Sequence, residues 1–370
     1  MSTNLKELHT QWATRPDDER FLSLDELTAH VAQRKHESWT VEGRPDALKI
    51  LPLEDNGIGV EVYDRTARET RILTPTHFAF GNLAQYAQAP GAFLRTQPAE
   101  LASIILQWNL ENRAVRQNVL TLAQSNGDHK LRAMTSTSYG RIWDSQVVDA
   151  VEKVNQRGEW TIPSASYQAR NPRRATTLYA SDRDVFIFLC NENTQLDIGN
   201  GRTLNRGFFT WNSEVGHSVF GLTTFFYDHI CANRIIWGAT GIQELRIRHT
   251  GGAPERFGYE GARYLKRYAE ETAQPVIEQI HKAQAFELPR SERQSVNADK
   301  TEGWGAWLKK RGFTDSLAKN AVAAAQAEEG QARSLWDIVN GVTAHARSIP
   351  HTDERVKVES LAGKLMQEVK

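Results

Sequence analysis

The chain has 370 residues, with 45 basic and 45 acidic side chains, 40% hydrophobic and 24% charged residues. That size and balance predict a soluble globular protein of two to three domains or one large core plus an appendage, and they provide no global charge from which nucleic acid or an anionic membrane could be inferred. Two cysteines, Cys190 and Cys231, are too few for a disulfide framework or a thiolate zinc site, the polar N-terminus has no apolar h-region, and the apolar run at 219–230 is interrupted by Asp228 and His229, so the expectation is a cytoplasmic chain without signal peptide or membrane span.

In chain order, residues 1–40 predict an N-terminal helical arm, with Ser23 and Glu26 at capping-box spacing. The stretches SWTVEG, LKILPL, GIGVEVYD and ETRILT then alternate as strands. Thr76 fits an N-cap for HFAFGNLAQYAQ, and Pro98 opens a helix that the pattern carries on to Gln124. HKLRAMTSTSYGRIWD predicts a strand running into a turn, and SQVVDAVEKVNQ a helix. Residues 159–250 are rich in strands, with GNGR as a hairpin turn. A long helix spans 260–286, kinked at Pro275, and residues 287–303 lack periodicity and fit a linker. Residues 304–370 predict a C-terminal helical module. Strands and helices in blocks give an α+β fold: a mixed, mainly antiparallel β-core at 41–286, flanking helices and the helical module.

The chemistry-bearing motifs are mostly negative. There is no G-x-S-x-G elbow, no H-E-x-x-H, no C-x-x-C, no Walker A and no dinucleotide fingerprint, so no cofactor and no metal site is predicted. Cys190 ends the apolar run DVFIFLC and fits core filler. Cys231 shares a strand face with His229, a pairing that apolar neighbours also explain.

The cations are less ordinary. The chain holds 31 Arg against 14 Lys, and no Lys between Lys153 and Lys266, where there are 12 Arg. A guanidinium pairs with phosphate through a planar fork and stacks on flat rings. Tyr167, Arg170, Arg173 and Arg174 precede Arg202 and Arg206; Arg246 and Arg248 share one strand face; Tyr139 and Arg141 add a further pair. Guanidinium groups interleaved with rings suit single-stranded nucleic acid, by phosphate pairing plus stacking. The same residues suit a solvated, ion-paired strand face.

The segment RGFFTWNSEVGHSVF raises a separate question, because Asn212, Ser213 and Glu214 stand between aromatic runs. The expectation is a turn between buried strands, with Gly216 in a special dihedral and Glu214 paired with Arg206 or Arg234. The order of RILTPTHFAFGNLAQYAQAPGAFLR, LRAMTSTSYGRIWD, the NSEVG turn, and Tyr227, Cys231 and Asn233 resembles the phage/plasmid-like protein family that carries a domain of unknown function. Arg234 stands where that family's pattern leads one to expect Gly. The resemblance implies a cytoplasmic protein of mobile elements and supplies no reaction.

The expected function is therefore a non-enzymatic DNA-binding protein, holding or annealing single-stranded DNA in replication or recombination as a homo-oligomer. Two alternatives remain at this point. One is a metal-dependent enzyme acting on nucleic acid or nucleotides through Glu214, His217, His229 and His249; the other is an interaction protein that inhibits a host defence factor.

Overall fold

The computed structural model describes residues 16–65, 67–113, 117–163, 176–199, 201–228, 235–236, 244–289, 303–330, 332–346, 358 and 361–369. The chain begins with β1 (Arg20–Phe21) and α1 (Leu24–His36), then β2 (Ser38–Gly43), β3 (Lys49–Pro52), β4 (Ile58–Asp64) and β5 (Glu69–Pro75). Helices α2 (His77–Tyr86), α3 (Gly91–Leu94) and α4 (Ala99–Asn112) follow, then β6 (Val119–Ser125), β7 (His129–Ser136) and α5 (Asp144–Val154). The second half holds β8 (Leu178–Ala180), β9 (Val185–Asp197), β10 (Thr203–Asn212), β11 (Phe220–Asp228), β12 (Ile235–Ile236) and β13 (Glu244–Ile247). It ends in α6 (Ala253–Arg256), a π turn (Phe257–Gly261), α7 (Ala262–Glu270), α8 (Gln274–Ala285), α9 (Trp304–Lys309), α10 (Asp315–Glu329) and α11 (Leu335–Ala346).

The strands form two sheets, and the fold is α+β. The first runs β2-β6-β7-β5-β4-β3, antiparallel except where β5 meets β7. Side chains alternate along each strand, so Val60, Val62 and Leu73 enter a core shared with Leu83 of α2 and Leu106 and Leu110 of α4. The second sheet runs β1-β8-β9-β10-β11-β12 with β13 also on β11, all antiparallel. Alternation along β10 sends Phe208 into a core with Leu27 of α1, Val148 of α5 and Leu265 of α7. It sends Phe209 and Trp211 to the opposite face, beside Phe186, Cys190 and Phe225. Cys190 is thus buried core, as its apolar run suggests.

Two predicted helix starts appear as expected. Thr76 Oγ1 accepts from Ala79 N at 3.2 Å, and Ser23 Oγ from Glu26 N at 3.1 Å. Two boundaries differ from those the sequence predicts. The helix opened by Pro98 ends at Asn112, and VLTLAQS is strand β6, paired on both sides by β2 and β7; cross-strand pairing overrides the helical reading. The long helix at 260–286 is two helices broken between Glu270 and Gln274, with Pro275 in the first turn of α8, where its missing N–H costs nothing. The described part of the arm packs into the central core, where Leu27 and Val31 lie at 0% and 2% exposure.

The C-terminal helices share a core with the second sheet, because Trp304, Leu335 and Ile338 cluster with Ile198, Leu204 and Phe226. Glu287 bridges to Ser334, which ties the start of the predicted linker to the module; residues 290–302 lie outside the described set.

Candidate functional site

The NSEVG turn lies at the junction of the two sheets. Gly216 has φ +91°, a conformation open to glycine at no steric cost. Ser213 Oγ donates to Arg183 O at 2.6 Å and accepts from His217 N at 2.9 Å. Asn212 Nδ2 donates to Ile142 O at 2.8 Å and to Asp144 Oδ1 at 2.6 Å. Tyr139 donates its hydroxyl to Ser213 O at 2.9 Å, and Arg141 donates to Glu214 O. The turn expected from the sequence is present, and its side chains close it.

Among the described residues Glu214 pairs with Arg34 and Arg132 and not with Arg206; Arg234 lies outside the described residues. Its Oε1 lies 3.0 Å from Arg34 Nε and 2.6 Å from Arg132 Nη2. Its Oε2 accepts from Asp144 N at 3.2 Å, which places the carboxylate at the positive end of α5. Arg34 also meets Asp144 Oδ2 at 2.5 Å and donates to Ser181 O. Arg34 comes from α1, Arg132 from β7 of the first sheet, and Asp144 from α5, so one carboxylate fastens both sheets and two helices.

These groups are closed to solvent: Arg34, Arg132, Asp144 and Glu214 are 5%, 2%, 0% and 1% exposed. Burial pushes Glu214 upward, but Arg34 and Arg132 overcome it and hold the carboxyl down at about 2. Burial and the Glu214 charge push Asp144 up to about 8, against the pull of Arg34 and the Asn212 amide. His30 is lowered to about 4 by burial and by Arg34 and Arg132. With these four groups buried and paired across elements of both sheets, the network is arranged as an ionic clamp.

The described members of the predicted nucleic-acid set, Tyr139, Arg141, Arg202, Arg206, Arg246 and Arg248, lie in several different environments. Arg206 is buried and donates to the carbonyls of Tyr268, Ala269 and Glu271, capping the C-terminal end of α7. Arg246 lies over the Trp211 ring at 5.8 Å, on the face opposite Arg206, because its register partner is Gly221, which itself faces Trp211. Arg141 lies between the rings of Tyr139 and Trp143, at 5.3 and 5.5 Å. Arg202 is half-buried in the β9–β10 hairpin, and Arg248 is exposed beyond β13. Tyr167, Arg170, Arg173 and Arg174 lie outside the described residues.

The histidines of the enzymatic alternative are also spoken for or undescribed. His249 Nδ1 is 3.1 Å from Gly140 O, its ring stacks on Tyr139, and burial lowers it to about 4. His217 meets Phe78 edge-on at 5.6 Å, and His229 lies outside the described residues. Among the described residues no group of three or more His, Cys, Asp or Glu is placed to hold a metal ion.

A basic and aromatic surface does exist, on an element the sequence reading passed over. The π turn and α7 border an open groove of about 510 Å³ lined by Tyr259, Glu260, Arg263, Tyr264, Lys266, Arg267 and Glu270. The π turn sends Phe257 inward against Phe220, with ring centroids 4.9 Å apart, and leaves Tyr259 at 74% exposure. Gly261 permits this, since a Cβ there would lie 2.9 Å from the Phe257 ring. Arg263 lies 5.4 Å from the Tyr259 ring and Arg267 5.7 Å from Tyr264. Lys266–Glu270 at 3.8 Å and Arg267–Glu271 at 3.0 Å are exposed pairs, which contribute little to stability and separate readily. The sequence signal was present: Tyr259 and Arg263 stand four apart, and Tyr264 and Arg267 three apart, spacings that bring helical side chains together.

The fold and these two features define a two-sheet α+β protein with a closed ionic clamp and an open basic groove. Residues 133–358 match the family described as Domain of unknown function (DUF932), and the chain belongs to that family. No curated protein and no solved structure matches it. The matched span contains Asp144 and Glu214, whereas Arg34 and Arg132 come from the preceding segment. Among the described residues no helix is long and apolar enough to cross a membrane.

Proposed function

We propose that this is a nucleic-acid-binding protein that takes single-stranded DNA along the π turn and α7, and that it serves the replication or recombination of phage or plasmid DNA. The observation that carries the binding reading is the groove in which two guanidiniums lie against two tyrosine rings with Lys266 between them. Phosphates displace Glu270 and Glu271 from Lys266 and Arg267, because an exposed carboxylate is a weak competitor for a mobile cation. Bases stack on Tyr259, whose free face adds about 1–3 kcal/mol per stacked base. Arg263 remains over the ring and adds cation–π attraction. The link to mobile elements is supported by the family resemblance in the sequence.

The test is a fluorescence-anisotropy titration of a labelled single-stranded oligonucleotide across a salt series. With three cations engaged, log K falls by about 2 per tenfold rise in salt, at roughly 0.7 per phosphate contact. Tyr259→Ala lowers affinity without changing that slope, and Lys266→Ala reduces the slope by about 0.7. Absent binding at low salt, or binding that both variants leave unchanged, removes the reading.

A further inference from the structure

Asn-Gly steps occur at Asn56, Asn126, Asn200 and Asn340. Glycine has no side chain to shield its own amide nitrogen, so that nitrogen is open to attack the preceding carboxamide. Asn200 lies outside the described residues, and the structure separates the other three. Asn340 is 1% exposed inside α11, where Gly341 N–H is turned to the helix ladder and a Cβ on Gly341 would lie 2.2 Å from Ala321 O. Asn56 is exposed, but its Oδ1 accepts from Ala99 N at 2.8 Å and Gly57 N donates to Asp55 Oδ1 at 3.0 Å, so carboxamide and nucleophile are both held. Asn126 is exposed at the tip of the β6–β7 hairpin, and neither its carboxamide nor Gly127 N–H has a hydrogen-bond partner among the described residues. A Cβ built on Gly127 would meet nothing within 4 Å. We propose that Asn126 is a site of spontaneous deamidation in the folded protein, and that the fold protects Asn56 and Asn340 from the same reaction.

The reaction needs only the chain and water. Gly127 N attacks Cγ of Asn126, the carboxamide C–N bond breaks, and ammonia leaves with the proton of Gly127. Water then opens the cyclic imide at either carbonyl, giving an aspartyl or an isoaspartyl residue. Ring closure requires Asn126 to turn its carboxamide onto the next peptide, which a free hairpin tip does without unfolding. The base of the hairpin stays fixed, because Ser125 Oγ accepts from Trp39 Nε1 at 3.1 Å and from Arg71 Nη1 at 2.8 Å. Asn56 and Asn340 react only after local opening releases what holds them. Each event adds one negative charge beside Asp128, in a chain whose 45 acidic and 45 basic side chains otherwise balance. None of this depends on the nucleic-acid reading, because the hairpin belongs to the first sheet and the basic groove is beside the second.

The experiment is peptide mapping by mass spectrometry on the full chain, incubated at mildly alkaline pH in water labelled with heavy oxygen, once folded and once unfolded in urea. In the folded chain Asn126 takes up solvent oxygen at least about tenfold faster than Asn56 or Asn340, the factor that a modest local-opening cost imposes on a protected site. Part of the Asn126 product is isoaspartyl. In urea the three sites react at comparable rates, because the contacts that protect Asn56 and Asn340 are gone. An Asn126 that stays intact in the folded chain overturns the proposal, as does an Asn56 or Asn340 that reacts as fast as Asn126 there. A ranking that persists unchanged in urea also overturns it, since the protection would then not come from the fold.

Discussion

The ionic centre and the α7 groove are built from the same residue types, and burial gives them opposite roles. At the centre, Arg34 and Arg132 are sealed against Glu214 and Asp144, and every partner comes from a different element. In the groove, Arg263 lies on the exposed Tyr259 ring and Arg267 on the half-buried Tyr264 ring, and the carboxylate neighbour of Arg267, Glu271, is one helical turn away. Removing a charge from the first strands its partners in a low-dielectric interior; removing one from the second exposes nothing. Guanidinium count therefore says little about function until exposure is known.

The sharpest way to break this contrast is Glu214→Ala, which leaves two buried guanidiniums uncompensated. It is expected to cost about 3–5 kcal/mol in urea unfolding; a loss under 1 kcal/mol would mean the clamp is not holding the sheets. Next, Arg206→Met uncaps α7 while keeping the stem, and about 2 kcal/mol is expected to go with the charged hydrogen bonds to Tyr268, Ala269 and Glu271. Its native form should still bind nucleic acid, because Arg206 does not line the groove.

The pH dependence sharpens the comparison from the buried side. Asp144 is raised in the folded state, so its share of stability is full below the unfolded carboxyl value and is lost as pH rises toward about 8. Glu214 is lowered, so its share is present above the unfolded value and disappears as pH falls toward about 2. Melting temperature is thus expected to decline from mildly acidic pH to about 8, and Asp144→Asn to flatten that decline. An identical slope in the variant would assign the titration elsewhere. Smallest in stability terms is Arg263→Ala, expected to change unfolding free energy by less than about 0.5 kcal/mol at an exposed site.

How far the sequence carried the structure follows from range. Local signals were legible: the Ser23 and Thr76 caps and the positive φ at Gly216 each need only a few neighbouring residues. The end of α4 was not, because strand β6 is decided by its pairing with β2 and β7. The partners of Glu214 were hidden for the same reason: Arg34 and Arg132 lie far away in the chain and on other elements, and nothing near residue 214 announces them. Arg206 was read as a phosphate ligand because a sequence does not show which arginines a fold encloses. The groove escaped because Arg263, Tyr264 and Arg267 fall in one long helical pattern that starts after Tyr259, where the break before α8 and the π turn leave no mark.

The contrast between clamp and groove is tested most directly by measuring melting temperature and single-strand affinity side by side for Glu214→Gln and Arg263→Ala. The account predicts that Glu214→Gln melts well below the wild type while its folded fraction binds normally, and that Arg263→Ala melts as the wild type does but binds about tenfold more weakly. The opposite pattern, with affinity lost at the buried glutamate and kept at the exposed arginine, would contradict it.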